Sequence, residues 1–493
     1  MHTNTNPNTT APKTPKRESQ PTVDRKITSK LKSPAKTLWR KQPFSPYRSA
    51  RNNIGNASSS ADNSMAGEAM DGDEGQQQQA YPPSLPAFLR QSRSDIATKF
   101  VDLEWQQRHR LASSLQKPSA ASAASSSSPT TATDNTATDR SSLSARFARL
   151  PSSEEIAQRN RYVNVEPYAS NRIRLRVAPG VSDYINASPI ALGNRRYIAT
   201  QGPKECSTSH FYRMLASETT SPAVIVMLTQ THEAGREKCF QYFPSSAEKP
   251  LNLSADPGVK DDLFQGTVTL VSSEEDAATR STIRKLLVRV RGATAVQQDD
   301  HENGRYHSNG AQQQQQQGQE QTPATTGEQN NWQELEVYHC LFTGWPDFSV
   351  PGGENRDAML ELITLSARLN ASVSSPPPSS SFHQQDAVAG AAAAAQHGPL
   401  PEPAPNMNPR IVHCSAGVGR SGTFIALDYL FGQLEVGALD QVAEDADPIV
   451  ETVDVLRQQR MMMVQSDGQF AFLYDVLRDA WMKRWRSMQA GLA

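Results

Sequence analysis

The chain has 493 residues, of which 37% are hydrophobic, and its formal net charge is -1. At roughly 100–200 residues per domain, this length holds one large domain or two ordinary ones. The low hydrophobic fraction, with 33 prolines and 27 glycines, excludes a chain that folds throughout, because its polar segments bury too little apolar surface to offset chain entropy.

The charge is unevenly distributed along the chain. Residues 1–56 contain twelve Lys or Arg and two acidic residues, so the other residues contain 38 basic and 49 acidic side chains. This pattern indicates a basic tail joined to an acidic body. The tail has three aromatic residues, Trp39, Phe44 and Tyr47. We therefore do not expect nucleic-acid binding.

The four cysteines are too few and too widely spaced for a disulfide framework or a paired-cysteine zinc site. This favours a reducing compartment. The longest apolar run is far shorter than the roughly 20 residues that span a bilayer. The start of the chain also lacks the apolar segment of a secretion signal. We expect a soluble cytoplasmic protein, with a nuclear location as the alternative.

The first 84 residues are predicted to form a disordered basic tail, because Ser, Asn, Pro and Lys dominate residues 1–80 and no apolar periodicity is present. A domain then begins near residue 85. Ile96, Phe100 and Leu103 recur at helical spacing, which predicts an amphipathic helix that opens the domain.

Three low-complexity tracts interrupt the domain, at about residues 113–142, 293–331 and 371–408. Each lies between well-patterned segments, so we interpret them as loop insertions rather than as linkers between domains. A core tolerates such insertions because the entropy of loop closure grows slowly with loop length.

The ordered blocks between these tracts alternate in type. Strands are predicted within residues 223–228, 267–271, 285–290 and 332–340, and helices within 357–369, 421–434, 448–459 and 469–485. This alternation predicts an α/β fold, a single large domain over 85–488 with a twisted mixed β-sheet flanked by α-helices. Residues 489–493 are left as a C-terminal tail.

The most informative segment is Ile411-Val-His-Cys-Ser-Ala-Gly-Val-Gly-Arg-Ser-Gly-Thr-Phe424. A short β-branched run leads into a Gly-rich turn, and the turn leads into an apolar helix. Such a loop and the helix N-terminus form a concave anion site, whose field favours a thiolate at Cys414. Arg420 can return to the same anion, because its planar guanidinium matches two phosphoryl oxygens. Ser421 can offer its hydroxyl to the sulfur.

This segment resembles the signature of the phosphotyrosine-specific protein tyrosine phosphatases, a cysteine-dependent, non-receptor type of enzyme. Further family blocks follow in the expected order over about residues 85–488. The resemblance implies a phosphatase in which Cys414 is the nucleophile and Arg420 binds phosphate. It also implies that the loop after His413 cradles the phosphate with five residues: Ser415, Ala416, Gly417, Val418 and Gly419.

Other blocks of the resemblance imply the remaining roles. Trp345-Pro-Asp347 resembles the family's mobile acid loop, with Trp345 in support and Asp347 as the general acid and then the general base. Val464-Gln-Ser-Asp-Gly-Gln469 resembles the glutamine loop, in which Gln465 orients water and Gln469 assists. In the segment from Glu233 to Cys239, Glu233 is expected to hold Arg420 and Lys238 to approach the acid loop.

Asn160-Arg-Tyr-Val-Asn164 resembles the family's substrate-recognition loop. Tyr162 is expected to form one wall of a slot whose depth selects phosphotyrosine over the shorter phosphoserine. Asn164 stands where the family often has Asp, so it keeps an acceptor for the substrate backbone but loses a charge. No metal or cofactor is needed, because the thiolate is the nucleophile and Arg420 and the loop amides supply the positive field.

The tail carries three sites of a kind read by Pro-directed kinases, at Thr14, Ser33 and Ser45, each followed by Pro and a nearby basic residue. Phosphorylation at each would subtract up to about two charges. The basic and apolar residues of the tail could also dock a kinase substrate, and nuclear import fits equally well. Mitogen-activated protein kinases are candidate substrates by analogy with the family alone.

The leading functional hypothesis is hydrolysis of phosphotyrosine in signalling proteins through a cysteinyl-phosphate intermediate. One alternative is a non-catalytic phosphotyrosine-binding pseudophosphatase, which the presence of Cys414, Arg420 and Asp347 disfavours. The other is a dual-specificity or lipid phosphatase that uses the same loop, which the Tyr162 block and the domain length disfavour.

Overall fold

The computed structural model describes residues 81–115, 145–257, 259, 262–292, 332–346, 349–371 and 408–492. Residues 1–80 of the predicted tail and most of the three inserted tracts therefore lie outside the described residues. The tail boundary at residue 84 and the extent of the domain stay predictions.

The described residues form ten β-strands and seven α-helices, with short 3-10 turns at Ala87–Arg90 and Glu205–Ser207. The strands are β1 Ala187–Leu192, β2 Arg195–Thr200, β3 Ala223–Met227, β4 His232–Glu233, β5 Arg236–Glu237, β6 Leu251–Ser254, β7 Gln265–Asp276, β8 Ser281–Arg291, β9 Gln333–Phe342 and β10 Arg410–His413. The helices are α1 Arg93–Leu115, α2 Glu154–Arg159, α3 Thr208–Glu218, α4 Glu354–Ala371, α5 Gly419–Glu435, α6 Pro448–Gln459 and α7 Asp467–Leu492.

Eight strands form one mixed sheet in the order β1-β2-β10-β3-β9-β8-β7-β6, and β4 and β5 form a separate hairpin. The pairs β2–β10, β10–β3 and β3–β9 are parallel, and the other pairs of the large sheet are antiparallel. The four parallel strands therefore end at one edge of the sheet, where the segments that follow them lie close together. This confirms the predicted α/β class with a mixed sheet and flanking helices.

The central strands are buried on both faces. Every residue of β3 is buried, as is every residue of β10. One face of the sheet packs against a large apolar cluster that includes α5, α6 and α7, and the other face packs against α3. This burial explains why the run Ala223–Met227 is continuously apolar rather than alternating.

The predicted strands and helices are all present, with small shifts at their ends. The last helix, α7, extends to Leu492, so residues 489–492 belong to this helix and not to the predicted C-terminal tail. The opening helix extends to Leu115, so residues 113–115 belong to α1 and not to the first inserted tract. Likewise, Ala371 is the last residue of α4, and Asn408 is already part of the core at 3% exposure. The side chain of Asn370 donates to the Asn408 carbonyl at 2.7 Å, which fixes both ends of the 372–407 segment to the domain.

Helices α6 and α1 pack together near the candidate site. Asp447 caps the N-terminus of α6: its carboxylate accepts from the backbone N–H groups of Ile449 and Val450, and Pro448 occupies the first helical position. α1 packs against α6 and α7. Over the residues that the structure covers, none of the helices is both long and apolar enough to cross a membrane.

Candidate active site

Cys414 lies at the carboxyl end of β10, in the loop that leads to α5. The strand ends at His413 and the helix begins at Gly419. Cys414 is 5% exposed, and the backbone N–H of Gly417 points at its Sγ with an N–S distance of 3.3 Å. The loop therefore directs a sulfur and a backbone amide at the N-terminus of a helix to the same small volume, as an anion site requires.

Two glycines allow neighbouring backbone to approach this loop. Gly417 has a φ of +71°, and a Cβ there would lie 2.1 Å from the carbonyl oxygen of Thr200. A Cβ at Gly422 would lie 2.5 Å from the backbone nitrogen of Val464. Both distances are below any that a real Cβ adopts. Backbone packing from β2 and from the segment before Gln465 thus fixes the shape of the loop.

Arg420 lies in the first turn of α5 and is held by Glu233 of the β4–β5 hairpin. Its Nη1 donates to Glu233 Oε1 at 2.6 Å and to the Leu228 carbonyl at 3.1 Å, and its Nη2 donates to Glu233 Oε2 at 2.9 Å. Burial opposes ionisation of Glu233, but hydrogen bonds from Arg420 and Thr229 outweigh it, so the pKa of Glu233 lies below its ordinary value. This two-point contact fixes the plane of the guanidinium.

Arg460 supports the same loop, although no role was predicted for it from the sequence. It is fully buried, and it donates to the carbonyl oxygens of Gly417 at 2.9 Å and Ala416 at 3.2 Å and to Asn186 Oδ1 at 2.8 Å. Burial lowers the pKa of Arg460 to about 10. Because the C=O and N–H of a trans peptide point in opposite directions, these contacts turn loop amides away from Arg460.

Tyr162 is joined to the loop through a hydroxyl chain. The Ser415 hydroxyl donates to the Lys238 carbonyl at 2.9 Å, so the Tyr162 hydroxyl, 2.8 Å from Ser415 Oγ, donates to Ser415. Tyr162 is half-buried, whereas Asn164 is exposed. The structure thus brings Tyr162, Ser415 and the backbone of Lys238 together.

Gln465 and Gln469 lie over the start of α5. The point where Gly419 would carry a Cβ is 3.0 Å from Gln469 Oε1 and 3.2 Å from Gln465 Oε1. Gln465 N donates to Gln469 Oε1 at 3.0 Å, which ties the two residues together. Both amide side chains therefore lie against Gly419, where the Cys414 loop leads into α5. The predicted role of this pair is to orient a water molecule.

His413 is part of a buried chain of hydrogen bonds. Burial lowers its pKa to about 4, so it is neutral, and its Nδ1 faces the Cys414 carbonyl at 3.2 Å and carries the proton. Its Nε2 then accepts from the Tyr242 hydroxyl at 2.6 Å, and Tyr242 accepts from His339 Nε2 at 3.1 Å. Tyr242 and His339 lie far from Cys414 in the sequence, and their residue types alone did not indicate this contact.

The acid-loop segment is described only up to Pro346 and again from Ser349, so Asp347 lies outside the described residues. Trp345 is 3% exposed, and its Nε1 donates to the Ser349 carbonyl at 2.9 Å. A cavity of about 370 Å³ is lined by Trp345 and Pro346 on one side and Glu233 on another. The segment that carries Asp347 therefore starts at a cavity shared with the partner of Arg420.

Ser421 occupies a different environment from the expected one. It is fully buried, and its Oγ has no hydrogen-bond partner among the described residues, Cys414 Sγ included. The predicted contact between its hydroxyl and the sulfur is thus not formed.

Within the ranges that the structure covers, no group of three or more His, Cys, Asp or Glu side chains is arranged to hold a metal ion.

Comparisons with known proteins place this geometry in context. Residues 156–302 and 294–479, more than half of the chain, match the family model described as protein-tyrosine phosphatase. Tyrosine-protein phosphatase 2 of Schizosaccharomyces pombe is 31% identical over 328 residues, which cover 66% of this chain and 34% of that protein.

Tyrosine-protein phosphatase 1 of the same yeast is 28% identical over 324 residues, which cover 65% of this chain and 44% of that protein. The matched region thus spans less than half of the length of these two relatives. Among solved structures, the catalytic domain of human protein tyrosine phosphatase non-receptor type 18 is similar with a TM-score of 0.47 and 22% identity, covering 79% of this chain and 96% of that chain.

Proposed function

The chain belongs to the protein-tyrosine phosphatase family, and from this premise we propose that it hydrolyses phosphotyrosine in proteins through a cysteinyl-phosphate intermediate. The observation that carries the proposal is the meeting of three groups at the start of α5. The Cys414 sulfur, the Gly417 amide and the Glu233-held Arg420 guanidinium lie on a single strand–loop–helix unit. A nucleophile, an amide donor and a planar cation are the parts needed to attack a phosphoryl group.

In the first step, the Cys414 thiolate attacks phosphorus, so that an S–P bond forms and the bond from phosphorus to the tyrosyl oxygen breaks. Asp347 gives its proton to the departing oxygen, and the loop amides and Arg420 stabilise the charge on the phosphoryl oxygens. A general acid of this kind contributes about 10²–10⁴ in rate. The position of Trp345 and Pro346 at the Glu233 cavity supports this role for the Asp347 segment.

In the second step, water attacks phosphorus and the S–P bond breaks. Asp347, now a carboxylate, takes a proton from the water, and the sulfur leaves as the thiolate. Gln465 and Gln469 orient the water, a role supported by their place over Gly419. Ser421 is kept as a group that can assist the departing sulfur, which requires its buried hydroxyl to turn toward Cys414 when the intermediate forms.

Selection of phosphotyrosine is assigned to Tyr162. Its hydroxyl is fixed by Ser415, so the ring stands at a constant position beside the loop that binds the phosphate. A flat aromatic substrate fills the space beside that ring, whereas phosphoserine is too short to bring its phosphate to Cys414. Asn164 is placed to accept a hydrogen bond from the substrate backbone, and Lys238 to approach the acid loop when it closes.

The wider biological role extends beyond this chemistry. We assign the phosphatase domain to residues 85–488 and a targeting role to the basic tail, with Thr14, Ser33 and Ser45 as sites for a Pro-directed kinase. Phosphotyrosine proteins in intracellular signalling are the proposed substrates, with mitogen-activated protein kinases as candidates. The cytoplasm is the proposed location, with the nucleus as the alternative.

The test is turnover by the full chain of three matched substrates: a phosphotyrosyl peptide, a phosphothreonyl peptide and a phosphoinositide vesicle. We expect hydrolysis of the first alone, inhibition by vanadate, and loss of turnover with Cys414→Ser. Cys206→Ser is the matched control, because Cys206 is an exposed cysteine. Peptide binding without turnover would favour the pseudophosphatase, and hydrolysis of the second or third substrate would favour the dual-specificity or lipid alternative.

A further inference from the structure

The segment just before Gln465 has an unusual backbone. Met462 has a φ of +61° and Val464 a φ of +57°, so two residues other than glycine adopt left-handed conformations within three positions. Such conformations are unfavourable for side chains with a Cβ, and above all for a β-branched residue such as Val. They persist only where the surrounding structure holds them. We refer to residues 461–464 as the strained turn.

Several hydrogen bonds hold the strained turn from the catalytic side of the fold. Arg457 donates to the carbonyl oxygens of Met463 at 3.0 Å and Val464 at 2.9 Å. The backbone N–H of Val464 donates to the Val418 carbonyl in the nucleophile loop at 3.2 Å. The strained turn thus connects that loop directly to Gln465.

Helix α1 holds the strained turn from the other side. The Gln107 side chain is 5% exposed, and its Oε1 accepts from the backbone N–H of Met462 at 2.7 Å. One turn earlier, Glu104 forms an ion pair with Arg457 at 2.9 Å. Residues three apart lie on one face of a helix, so α1 presents both groups together. One side chain binds the strained turn itself, and the other binds the arginine that holds its carbonyls.

We propose that Gln107, supported by Glu104, is a positioning residue for the second chemical step. Gln107 does not contact the reacting atoms. It fixes the N–H of Met462 and thereby the backbone that places Gln465 over Gly419. Loosening the turn at Met462 should displace the amide that orients water more than the Cys414 loop, because Arg460 and Thr200 also hold that loop. This inference rests on the proposed two-step mechanism.

The test measures the two steps separately in the full chain, with p-nitrophenyl phosphate in a rapid-mixing experiment. Gln107→Met keeps the size of the side chain but removes the acceptor. We expect its steady-state rate to fall about three- to tenfold, the range for loss of one ordinary hydrogen bond, while the first-turnover release of p-nitrophenol is unchanged. Acid quenching should then trap more phosphorylated enzyme than in the unmodified chain.

Three variants distinguish positioning from general loss of structure. Gln107→Glu keeps an acceptor and should restore the steady-state rate. Met462→Gly removes the unfavourable left-handed methionine, so adding Gln107→Met to it should have little further effect. Gln106→Met changes the exposed neighbour on α1 and should behave as the unmodified chain. If Gln107→Met does not fold, Glu104→Gln is the substitute variant. It weakens the ion pair with Arg457, which holds the carbonyl oxygens of the strained turn, and the same two rates are measured.

The outcomes separate the two proposals. If first-turnover and steady-state rates fall together, or if neither changes in the folded variant, the positioning role of Gln107 is wrong while the phosphatase function stands. If the unmodified chain neither releases p-nitrophenol nor forms a phosphorylated intermediate, the proposed function is wrong and the role of Gln107 falls with it.

Discussion

The contact between Glu233 and Arg420 gives the most quantitative prediction. Glu233→Gln keeps the shape of the side chain but replaces one carboxylate oxygen with an NH2 group. An N–H donor of Arg420 then faces another donor instead of an oxygen acceptor. Both side chains are about nine-tenths buried, at 9% and 10% exposure, so water does not compensate fully. Arg420 thus loses one of its two bonds to this partner and the neutralising charge.

The size of the effect follows from these contacts. A hydrogen bond to a charged group contributes about 1.5–3 kcal/mol, and an arginine left without its buried partner no longer keeps one orientation. If about 2–3 kcal/mol of transition-state stabilisation is lost, kcat/KM falls about 30- to 150-fold, since about 1.4 kcal/mol corresponds to a factor of ten. Vanadate affinity should fall as well, because it depends on the same guanidinium.

The assay is steady-state hydrolysis of a phosphotyrosyl peptide, with vanadate inhibition and a thermal melt on the same preparations. Glu237→Gln is the matched control on the same hairpin. Glu237 pairs with Arg161 but is 44% exposed, and exposed ion pairs contribute about 1 kcal/mol or less. Activity of a folded Glu233→Gln variant within threefold of the unmodified chain, or equal losses in both variants, would refute the reasoning.

Three further predictions follow from the site. Gly417→Ala should abolish turnover and lower the melting temperature, because its Cβ would lie 2.1 Å from the Thr200 carbonyl; a variant with ordinary kinetics would contradict the assigned loop packing. Burial lowers the pKa of His413 from 6.5 to about 4, so the unfolded chain binds a proton that the folded chain does not, and stability present above pH 6.5 should be lost as pH falls toward 4. His413→Gln should flatten that part of the stability curve in urea titrations, and an unchanged slope would exclude His413 as its source. Asp347→Ala should slow turnover about 10²–10⁴-fold yet still bind substrate, so that a pull-down from the source cell retains phosphotyrosine proteins. Recovery of the same proteins by Asp347→Ala in the presence of vanadate would argue against binding at this site.

Much of the fold could be predicted where local pattern and burial agree. The run Ala223–Met227 is apolar because a parallel strand is covered on both faces, and the turn after His413 combines glycines with a following apolar helix. The sequence pattern did not predict β1 as a strand, because this segment contains Pro189 and two alanines. A proline is tolerated there because β1 lies at the edge of the sheet. α3 is not among the helices predicted from the sequence, and nearly all of its residues are buried, Arg213 included.

The residues of the candidate site likewise fall into those that the sequence could predict and those that it could not. Residues of the nucleophile loop could be predicted to lie together because they form one contiguous motif, whereas the roles of Asp347, Gln465 and Gln469 stay predictions. Tyr242, Arg460 and Gln107 could not be predicted, because each acts through contacts to backbone groups or side chains far away in the sequence. Gln107 and Met462 are 355 positions apart in the sequence. The partner of Gln107 is a main-chain N–H, so the residue type at position 462 does not indicate this contact.

Because β2, β10, β3 and β9 are parallel, their carboxyl ends lie at one edge of the sheet, with the Cys414 loop, and their amino ends lie at the opposite edge. Thr200, His413, Met227 and Phe342 all lead out of the carboxyl edge toward the Cys414 loop and its neighbours. Gln333 and Arg410, the first residues of β9 and β10, instead lie at the opposite edge, and the 293–331 and 372–407 segments precede them in the sequence. The length of β10, four residues at about 3.3 Å each, separates Arg410 from the nucleophile. Insertions can therefore lengthen, shorten or acquire partners of their own during evolution without selection having to rebuild the catalytic edge.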